Sequence, residues 1–288
     1  MANDVTVQKK QSMATWLGTD AVKQQVQSVV GERESQSFIS SVVSAVQTNP
    51  QLAECTNSSI LSAALVGHSL KLPHSPQLGY YWMVPYDNTK KDSKGKEIKV
   101  KEAQFQLGWR GYVQLAMRTG EYQKIHVTEI KEGELKSYNP ITDEFELTPE
   151  MDANKRSTLS TVGYYAFFIL NNGSKKELYW SKEKMDAHAK KYSFAYRKGW
   201  ESSNWKKDFD SMAFKTMIRQ LLSKWGIMST EMQTAYNSDY ATIDENGQAH
   251  YLDNVPDEPY KAQDVYAKEE VIDSTATEVT EEEDAPEK

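Results

Sequence analysis

The sequence reads LGYYWMVPY at residues 78–86, AQFQLG at 103–108 and WRGYVQLAMRTG at 109–120. The first segment is rich in aromatic residues and the second alternates polar with apolar side chains, and both patterns are typical of β-strands. The basic, turn-rich segment DNTKKDSKGKEIKVK connects them at 87–101. These patterns predict a long antiparallel β-hairpin with a lysine-rich tip.

Apolar residues at helical spacing predict helices on both sides of this hairpin. The spacing occurs over residues 22–30 and 38–46, and a third helix is predicted at 60–70. Directly after the hairpin, a fourth helix is predicted over 112–118, and Gly120 closes it. We expect these helices to pack on a sheet or on a neighbouring subunit.

A second hairpin is predicted farther along the chain. Val162–Leu170 and Glu177–Trp180 are strand-like segments, and Asn171-Asn172-Gly173 between them is a strong turn signal. Together with the helices, the two hairpins predict an α+β fold, in which an antiparallel sheet core is packed by helices.

The longest helix is predicted from Lys206 to Trp225. Its apolar residues recur every three or four positions and predict a buried stripe, formed by Phe214, Ile218, Leu221 and Trp225. A second, cationic stripe lies on another side of the same helix, formed by Lys207, Ser211, Lys215 and Arg219. A helix with one side in the core and a cationic side outward is suited to line a phosphate-binding groove.

The charge of the chain is unevenly distributed. The whole sequence has 34 Lys and Arg against 41 Asp and Glu, a net charge of −7. The last 50 residues hold 16 of these acids and 3 lysines, so residues 1–238 hold 31 basic and 25 acidic residues. We therefore predict a disordered N-terminal segment at 1–18, an α+β domain at 19–238 and an acidic, largely disordered tail at 239–288.

Basic residues also cluster within the predicted domain. Residues 90–124 contain nine Lys and Arg against four acids, and residues 175–225 contain thirteen against six. The second stretch also contains ten aromatic residues from Tyr179 to Trp225. Cations that alternate with flat rings are suited to bind single-stranded nucleic acid, because cations contact phosphates and rings stack on unpaired bases.

Several functional classes find no support in the sequence. There is no run of 18 apolar residues, the N-terminus lacks the apolar core of a signal peptide, and Cys55 is the single cysteine. We therefore expect a cytoplasmic protein without membrane contact. No phosphate-binding loop, dinucleotide-binding or H-E-x-x-H motif occurs, so we predict no catalytic residues, no metal site and no cofactor.

One enzymatic alternative stays open. Nucleases can hold Mg²⁺ with an aspartate and an E-x-K motif on adjacent strands. Here Asp92 precedes Glu97-Ile98-Lys99, and Glu129-Ile130-Lys131 and Glu134-Leu135-Lys136 also fit the motif. A second alternative is a passive single-strand protector with an oligonucleotide-binding barrel.

Three segments resemble the RecT family of phage single-strand annealing recombinases. They are CTNSSILSAAL at 55–65, LGYYWMVPY at 78–86 and QLGWRGYVQLAMRTG at 106–120. The last is the most specific, since it matches the pattern G-[YW]-R-G-x-x-x-L-A-x-R-[ST]-G. Residues 212–219, MAFKTMIR, are similar to the family's A-x-K-T-x-x-R helix. The resemblance covers about residues 20–240 in the same order.

This resemblance implies a protein that is not an enzyme and that anneals complementary DNA strands without ATP during phage homologous recombination and DNA repair. It implies binding of single-stranded DNA and of the annealed duplex, assembly into homo-oligomeric rings or helical filaments, and a phage-encoded exonuclease partner. The location implied is the cytoplasm of a bacterium that hosts the phage or prophage. The domain at 19–238 would bind DNA and form the oligomer.

The resemblance also indicates candidate DNA-binding residues. It assigns contacts with the DNA backbone to Arg110, Arg118, Lys215 and Arg219. Strand and helix geometry extend the candidate set to Gln104, Gln106, Lys206 and Lys207, and the glycine-rich segment contributes Trp109 and Tyr112.

We expect the acidic tail to contact other proteins, such as the host single-strand-binding protein, or to compete with DNA for the groove. Truncation after Ser238 would then preserve or tighten DNA binding.

Overall fold

The computed structural model describes residues 11–91, 96–142, 144–239, 241–243 and 249–251. This part of the chain has an α+β architecture with antiparallel sheets and packed helices, which confirms the predicted class. By contacts between Cα atoms, the chain divides after residue 256, and all described residues lie in the first unit. Residues 257–288, the second unit, lie outside the described residues, together with most of the predicted acidic tail.

The N-terminal part is helical. It contains four helices and one 3-10 turn: α1 (Met13–Leu17), α2 (Asp20–Val30), α3 (Glu32–Thr48), the turn Leu52–Glu54 and α4 (Asn57–Ser69). The helices predicted over 22–30, 38–46 and 60–70 correspond to α2, α3 and α4. Helix α4 packs against the first hairpin.

The predicted disorder over residues 1–18 is wrong for helix α1. Met13 and Leu17 are buried, and the Ser12 side chain accepts a hydrogen bond from the backbone N–H of Thr15, which caps the helix. Two apolar side chains one turn apart suffice to attach this short helix to the core. Residues 1–10 lie outside the described residues.

The first predicted hairpin is confirmed. Strands β1 (Tyr81–Lys91) and β2 (Glu97–Leu107) pair antiparallel from Tyr81 opposite Leu107 to Lys91 opposite Glu97. The tip at 92–95, where the lysine-rich turn and Asp92 were placed, lies outside the described residues. Helix α5 (Trp109–Arg118) follows directly, and Gly120, just beyond its C-cap Thr119, has a φ of 76° that suits a glycine.

The second predicted hairpin belongs to a separate three-stranded sheet. Its order is β3-β6-β7, with β3 (Tyr122–Lys131), β6 (Thr161–Leu170) and β7 (Lys175–Ser181) all antiparallel. Gly173 in the turn between β6 and β7 has a φ of 84°, as the Asn-Asn-Gly signal predicted.

Five helices follow this sheet: α7 (Lys182–Tyr192), α8 (Phe194–Arg197), α9 (Asn204–Lys207), α10 (Phe209–Trp225) and α11 (Thr230–Ser238). The predicted single helix from Lys206 to Trp225 is wrong at its start. Asp208 interrupts it, because its side chain accepts a hydrogen bond from the backbone N–H of Ser211 and caps α10. Lys206 and Lys207 therefore belong to the separate turn α9.

Helix α10 lies at the centre of the core. It contacts α5 and all three strands of the second sheet. Ile218 and Leu221 are fully buried and Phe214 packs against the core, whereas Trp225 at the end of the predicted stripe is 37% exposed. The predicted buried side of the helix is thus confirmed except in its last turn.

The folded domain does not end at the predicted boundary after Ser238. Strand β8 (Ala241–Ile243) pairs with β2, and β9 (Ala249–Tyr251) pairs with β8, so the first sheet has the order β1-β2-β8-β9. Asp239 itself is 1% exposed. The folded unit therefore includes residues that the charge pattern assigned to the tail.

Residues 131–160 form a small annex on the second sheet, built from β4 (Leu135–Asn139), β5 (Glu144–Leu147) and α6 (Ala153–Thr158). Its apolar side chains cover one end of the sheet. Glu134, 3% exposed, accepts hydrogen bonds from the backbone N–H groups of Lys131 and Glu150 and from Arg156 Nε at 2.7 Å. Burial raises the pKa of Glu134, but these hydrogen bonds lower it more, so its pKa lies below the ordinary glutamate range.

Arg156→Met is expected to destabilise the annex, because it leaves the Glu134 carboxylate buried without its cation. The free energy of unfolding at pH 7 should fall by about 3 kcal/mol. Since the pKa of Glu134 is lowered by folding, its stabilising contribution is present above the ordinary glutamate pKa and is lost as the pH falls through the folded value. The difference in the free energy of unfolding between wild type and variant should therefore shrink as the pH falls.

Urea denaturation at several pH values measures this difference. Lys155→Met is the matched control, because Lys155 pairs with Glu150 on the surface and exposed pairs contribute little. Equal losses of unfolding free energy in the two variants would contradict a stabilising role of the buried Glu134–Arg156 pair.

Candidate nucleic-acid interface

A groove of about 470 Å³ runs between the first hairpin and the helices α5, α9 and α10. We call it the hairpin–helix groove. Its walls include Trp82 of β1, Gln106 of β2, Trp109 and Arg110 of α5, and Lys207 of α9. The sequence places these residues in three distant segments, and the fold brings them together.

Glycines in the G-W-R-G segment allow one wall of the groove to form. A Cβ atom at Gly108 would collide with the carbonyl oxygen of Gly79, and one at Gly111 would collide with that of Tyr80. The backbone N–H of Gly108 donates a hydrogen bond to Tyr80 O at 2.8 Å. The first turn of helix α5 can therefore pack closely on the backbone that precedes β1. This packing places the two residues between the glycines, Trp109 and Arg110, at the groove.

Cations and indole rings line the groove together. Arg110 is exposed, and its guanidinium lies 5.3 Å from the centre of the Trp109 ring. The Trp109 ring packs edge-on against Phe214 of α10, with 5.9 Å between ring centres. Lys207 is exposed at the end of α9, and Trp82 is 42% exposed on the hairpin. The groove can therefore contact both phosphates and flat apolar rings.

The two glutamines of β2 are less accessible than predicted. Gln104 and Gln106 are 2% and 6% exposed, and Gln106 Nε2 donates a hydrogen bond to Gln104 Oε1 at 2.8 Å. The alternation of β2 predicted one solvent face, but the second half of the strand is buried on both faces. Gln106 still lines the groove, whereas Gln104 does not.

Asp239 holds the predicted cationic stripe of α10. Lys215 Nζ donates to Asp239 Oδ1 at 3.0 Å, and Arg219 Nη1 lies 3.9 Å from Asp239 Oδ2. The backbone N–H of Leu107 donates to Oδ1 at 2.9 Å, and the Tyr112 hydroxyl donates to Oδ2 at 2.8 Å. We call these five residues the Asp239 cluster.

The prediction that Lys215 and Arg219 face outward is therefore wrong. Both are 6% exposed, and the guanidinium of Arg219 lies 4.0 Å from the centre of the Tyr236 ring. A buried cation needs a compensating anion, and the one that serves here lay in the predicted tail. Lys215 reaches the groove wall while it binds Asp239, but Arg219 and Tyr112 do not line the groove.

Two other predicted residues lie away from the groove. Arg118 donates from Nη1 to Leu70 O at 2.8 Å and from Nη2 to Lys71 O at 2.9 Å, so it binds the carbonyl end of α4. Lys206 forms an ion pair with Glu201 at 2.6 Å. The groove thus unites Trp109, Arg110, Gln106, Lys207 and Lys215 among the ten predicted residues.

Sequence reasoning did not select Trp82, although it lines the groove together with Arg110. The alternation of the strand could have identified it, since successive side chains of a β-strand point to opposite faces of the sheet. Tyr81 is buried and Trp82 is exposed, as this alternation requires.

Two of the three E-x-K glutamates, Glu129 and Glu134, have structural partners, whereas Glu97 is exposed at the start of β2. Glu129 Oε1 accepts a hydrogen bond from Arg156 at 3.0 Å, and Glu134 is bound as described above. Asp92 lies outside the described residues. Among the residues that the structure describes, no cluster of three or more His, Cys, Asp and Glu side chains could hold a metal ion. No helix in that part is long and apolar enough to cross a membrane.

A groove lined by cations and aromatic rings is typical of a nucleic-acid-binding protein. Sequence comparison gives the family. The profile of the RecT family matches residues 36–250. The chain is similar to the protein YqaK of Bacillus subtilis (strain 168), with 37% identity over 88% of this chain and 81% of that one. It is also similar to Protein RecT of Escherichia coli (strain K12), with 24% identity over 80% of this chain and 81% of that one.

This chain belongs to the RecT family. Membership of the family implies binding of single-stranded DNA and single-strand annealing in DNA recombination.

Asp239→Ala is expected to destabilise the fold, because it removes the anion from two buried cations. The free energy of unfolding should fall by about 3–5 kcal/mol in urea denaturation. Asp87→Ala is the control, since Asp87 is exposed and lies 4.0 Å from Lys101 in a surface ion pair. A loss of unfolding free energy no greater than that of the control would show that the Asp239 carboxylate does not stabilise the fold.

A pair of truncations tests the corrected boundary. Ending the chain after Ser238 removes Asp239 and β8, so this form should unfold at a lower urea concentration than the full chain. Ending it after Tyr251 keeps both and removes thirteen acids and three lysines. The longer form should bind labelled oligo-dT at least as tightly as the full chain; weaker binding would assign the removed segment a positive role.

Proposed function

We propose that the chain anneals complementary DNA strands without ATP and that the hairpin–helix groove holds the backbone of the first strand. The observation that carries this proposal is the meeting of Arg110 and Lys207 in one groove, although they belong to distant segments of the chain. Both cations are exposed. Their charges are available to phosphates, in contrast to those of Lys215 and Arg219.

Physical chemistry requires little more of an annealing protein than such a groove. The barrier to annealing is the approach of two polyanions and the search for their register. Cations in the groove neutralise phosphates and release counterions. If bases remain accessible, correct pairing with a second strand adds about 1.4 kcal/mol per stacked step.

We expect the chain to form oligomers, and the size of the groove supports this expectation. A volume of about 470 Å³ accommodates a few nucleotides, so a long strand requires neighbouring subunits aligned end to end. Such contacts are heterologous and produce rings or helical filaments. We place this assembly in the cytoplasm of a bacterium that hosts a phage, with a phage exonuclease as partner and the acidic tail as a contact for the host single-strand-binding protein.

Arg110→Ala and Lys207→Ala are expected to weaken binding of all DNA sequences alike, because both residues contact phosphates. Each should reduce the slope of log affinity against log salt concentration by about 0.7. Fluorescence anisotropy with labelled oligo-dT and a mixed-sequence strand at several salt concentrations measures both effects. Lys155→Ala is the control, since this exposed lysine lies in the annex. A loss confined to one sequence would contradict a backbone contact.

Annealing is distinguished from passive protection by mixing two complementary labelled oligonucleotides with and without protein, in the absence of ATP. We expect the protein to accelerate pairing, and Arg110→Ala to reduce the acceleration. Slower pairing would indicate a protector instead. The sheets in the described part of the chain are open rather than closed into a barrel, which favours annealing over an oligonucleotide-binding barrel.

A further inference from the structure

Two aromatic side chains outside the groove are exposed next to each other. Phe194 and Trp200 are 37% and 53% exposed, and their rings meet edge to face with 5.4 Å between centres. We call this pair the Phe194–Trp200 platform. Neither residue lines the hairpin–helix groove.

A tight helix end builds the platform. The backbone N–H of Gly199 donates to Tyr196 O and that of Trp200 donates to Ala195 O, both at 2.9 Å. Gly199 has a φ of 74°. This is the Schellman arrangement, in which a hydrophobic contact commonly joins the residue after the glycine to the preceding turn. The helix end therefore accounts for the contact between Phe194 and Trp200.

The helix end accounts neither for the exposure of the rings nor for the charge around them. The guanidinium of Arg197 and the ammonium of Lys198 lie 5.6 and 5.7 Å from the centre of the Phe194 ring. Residues 190–207 contain six Lys and Arg and a single acid, Glu201, which is paired with Lys206. A partner for this surface must be anionic and must also offer flat apolar groups.

The segment that carries the platform continues into the groove. The backbone N–H of Ser203 donates to Trp200 O at 3.1 Å, and that of Lys207 donates to Ser203 O at 3.0 Å. Lys207 lines the hairpin–helix groove. A strand bound by Lys207 is thus held by the same short, hydrogen-bonded segment that presents Trp200.

We propose that the Phe194–Trp200 platform is a base-stacking site for single-stranded DNA, with Trp200 stacked on an unpaired base and Arg197 and Lys198 on the adjoining phosphates. This inference rests on the proposed function, since it concerns the same strand. Stacking on a ring is independent of sequence. The platform would therefore add affinity for unpaired strands over fully paired ones, whose bases are not available to the ring.

The test compares labelled oligo-dT with an abasic oligomer that has the same number of phosphates. Trp200→Leu keeps an apolar contact with Phe194 but removes the ring, and it should weaken oligo-dT binding about tenfold. It should leave binding of the abasic oligomer unchanged. Trp200→Phe should restore most of the affinity, and urea denaturation of both variants checks that the helix end is intact.

Other results would overturn the proposal. An unchanged affinity of Trp200→Leu for oligo-dT would exclude stacking, and an equal loss for both oligomers would indicate a role that does not involve bases. If Trp200→Leu sedimented differently from the wild type in the absence of DNA, the platform would be an interface with a second copy of the chain. Lys207→Ala separates the two proposals, because it should weaken binding of both oligomers equally. An unchanged affinity of this variant would count against the groove. A loss in Trp200→Leu that is confined to oligo-dT would still support the platform.

Discussion

The structure depends on one buried carboxylate. Asp239 joins the end of β2, helix α5 and helix α10 through Leu107, Tyr112 and Lys215. Burial of the Lys215 and Arg219 charges on α10 would cost free energy without the Asp239 carboxylate, and burial of the carboxylate would cost free energy without these cations. Each oxygen of the carboxylate accepts at least one hydrogen bond, which fixes the relative position of the three elements. The walls of the hairpin–helix groove are formed by these same elements.

The groove combines rigidity with accessible charge. Gly108 and Gly111 bring α5 against the backbone that precedes β1, and Phe214 supports the Trp109 ring. Helix α5 therefore carries Arg110 at a defined place beside β1, and both Arg110 and Lys207 are exposed to solvent. Such an arrangement suits a protein that must bind many sequences, because phosphates are the same along every strand. The buried cations of the Asp239 cluster join the elements that form the wall, and we expect the exposed cations to supply its affinity for phosphates.

Local patterns in the sequence predicted much of the fold but only part of the site. Aromatic residues and period-two alternation identified the first hairpin, the Asn-Asn-Gly turn between two strand-like segments identified the second, and the motif at 106–120 located Arg110. The stripe of Lys215 and Arg219 was assigned to the surface because periodicity identifies the side of a helix but not what covers it. Their anion is distant in sequence, and the net acidity of the last fifty residues concealed it. Similarly, the cap at Asp208 divides a helix whose apolar spacing continues unbroken.

The position of Asp239 has a consequence for how the chain is made. Its partners lie on elements that precede it by as many as 132 residues. During translation, α5 and α10 leave the ribosome before the carboxylate that joins them. The packing that Asp239 completes is therefore a late event, because Lys215 and Arg219 gain this carboxylate only after the last fifth of the chain is synthesised.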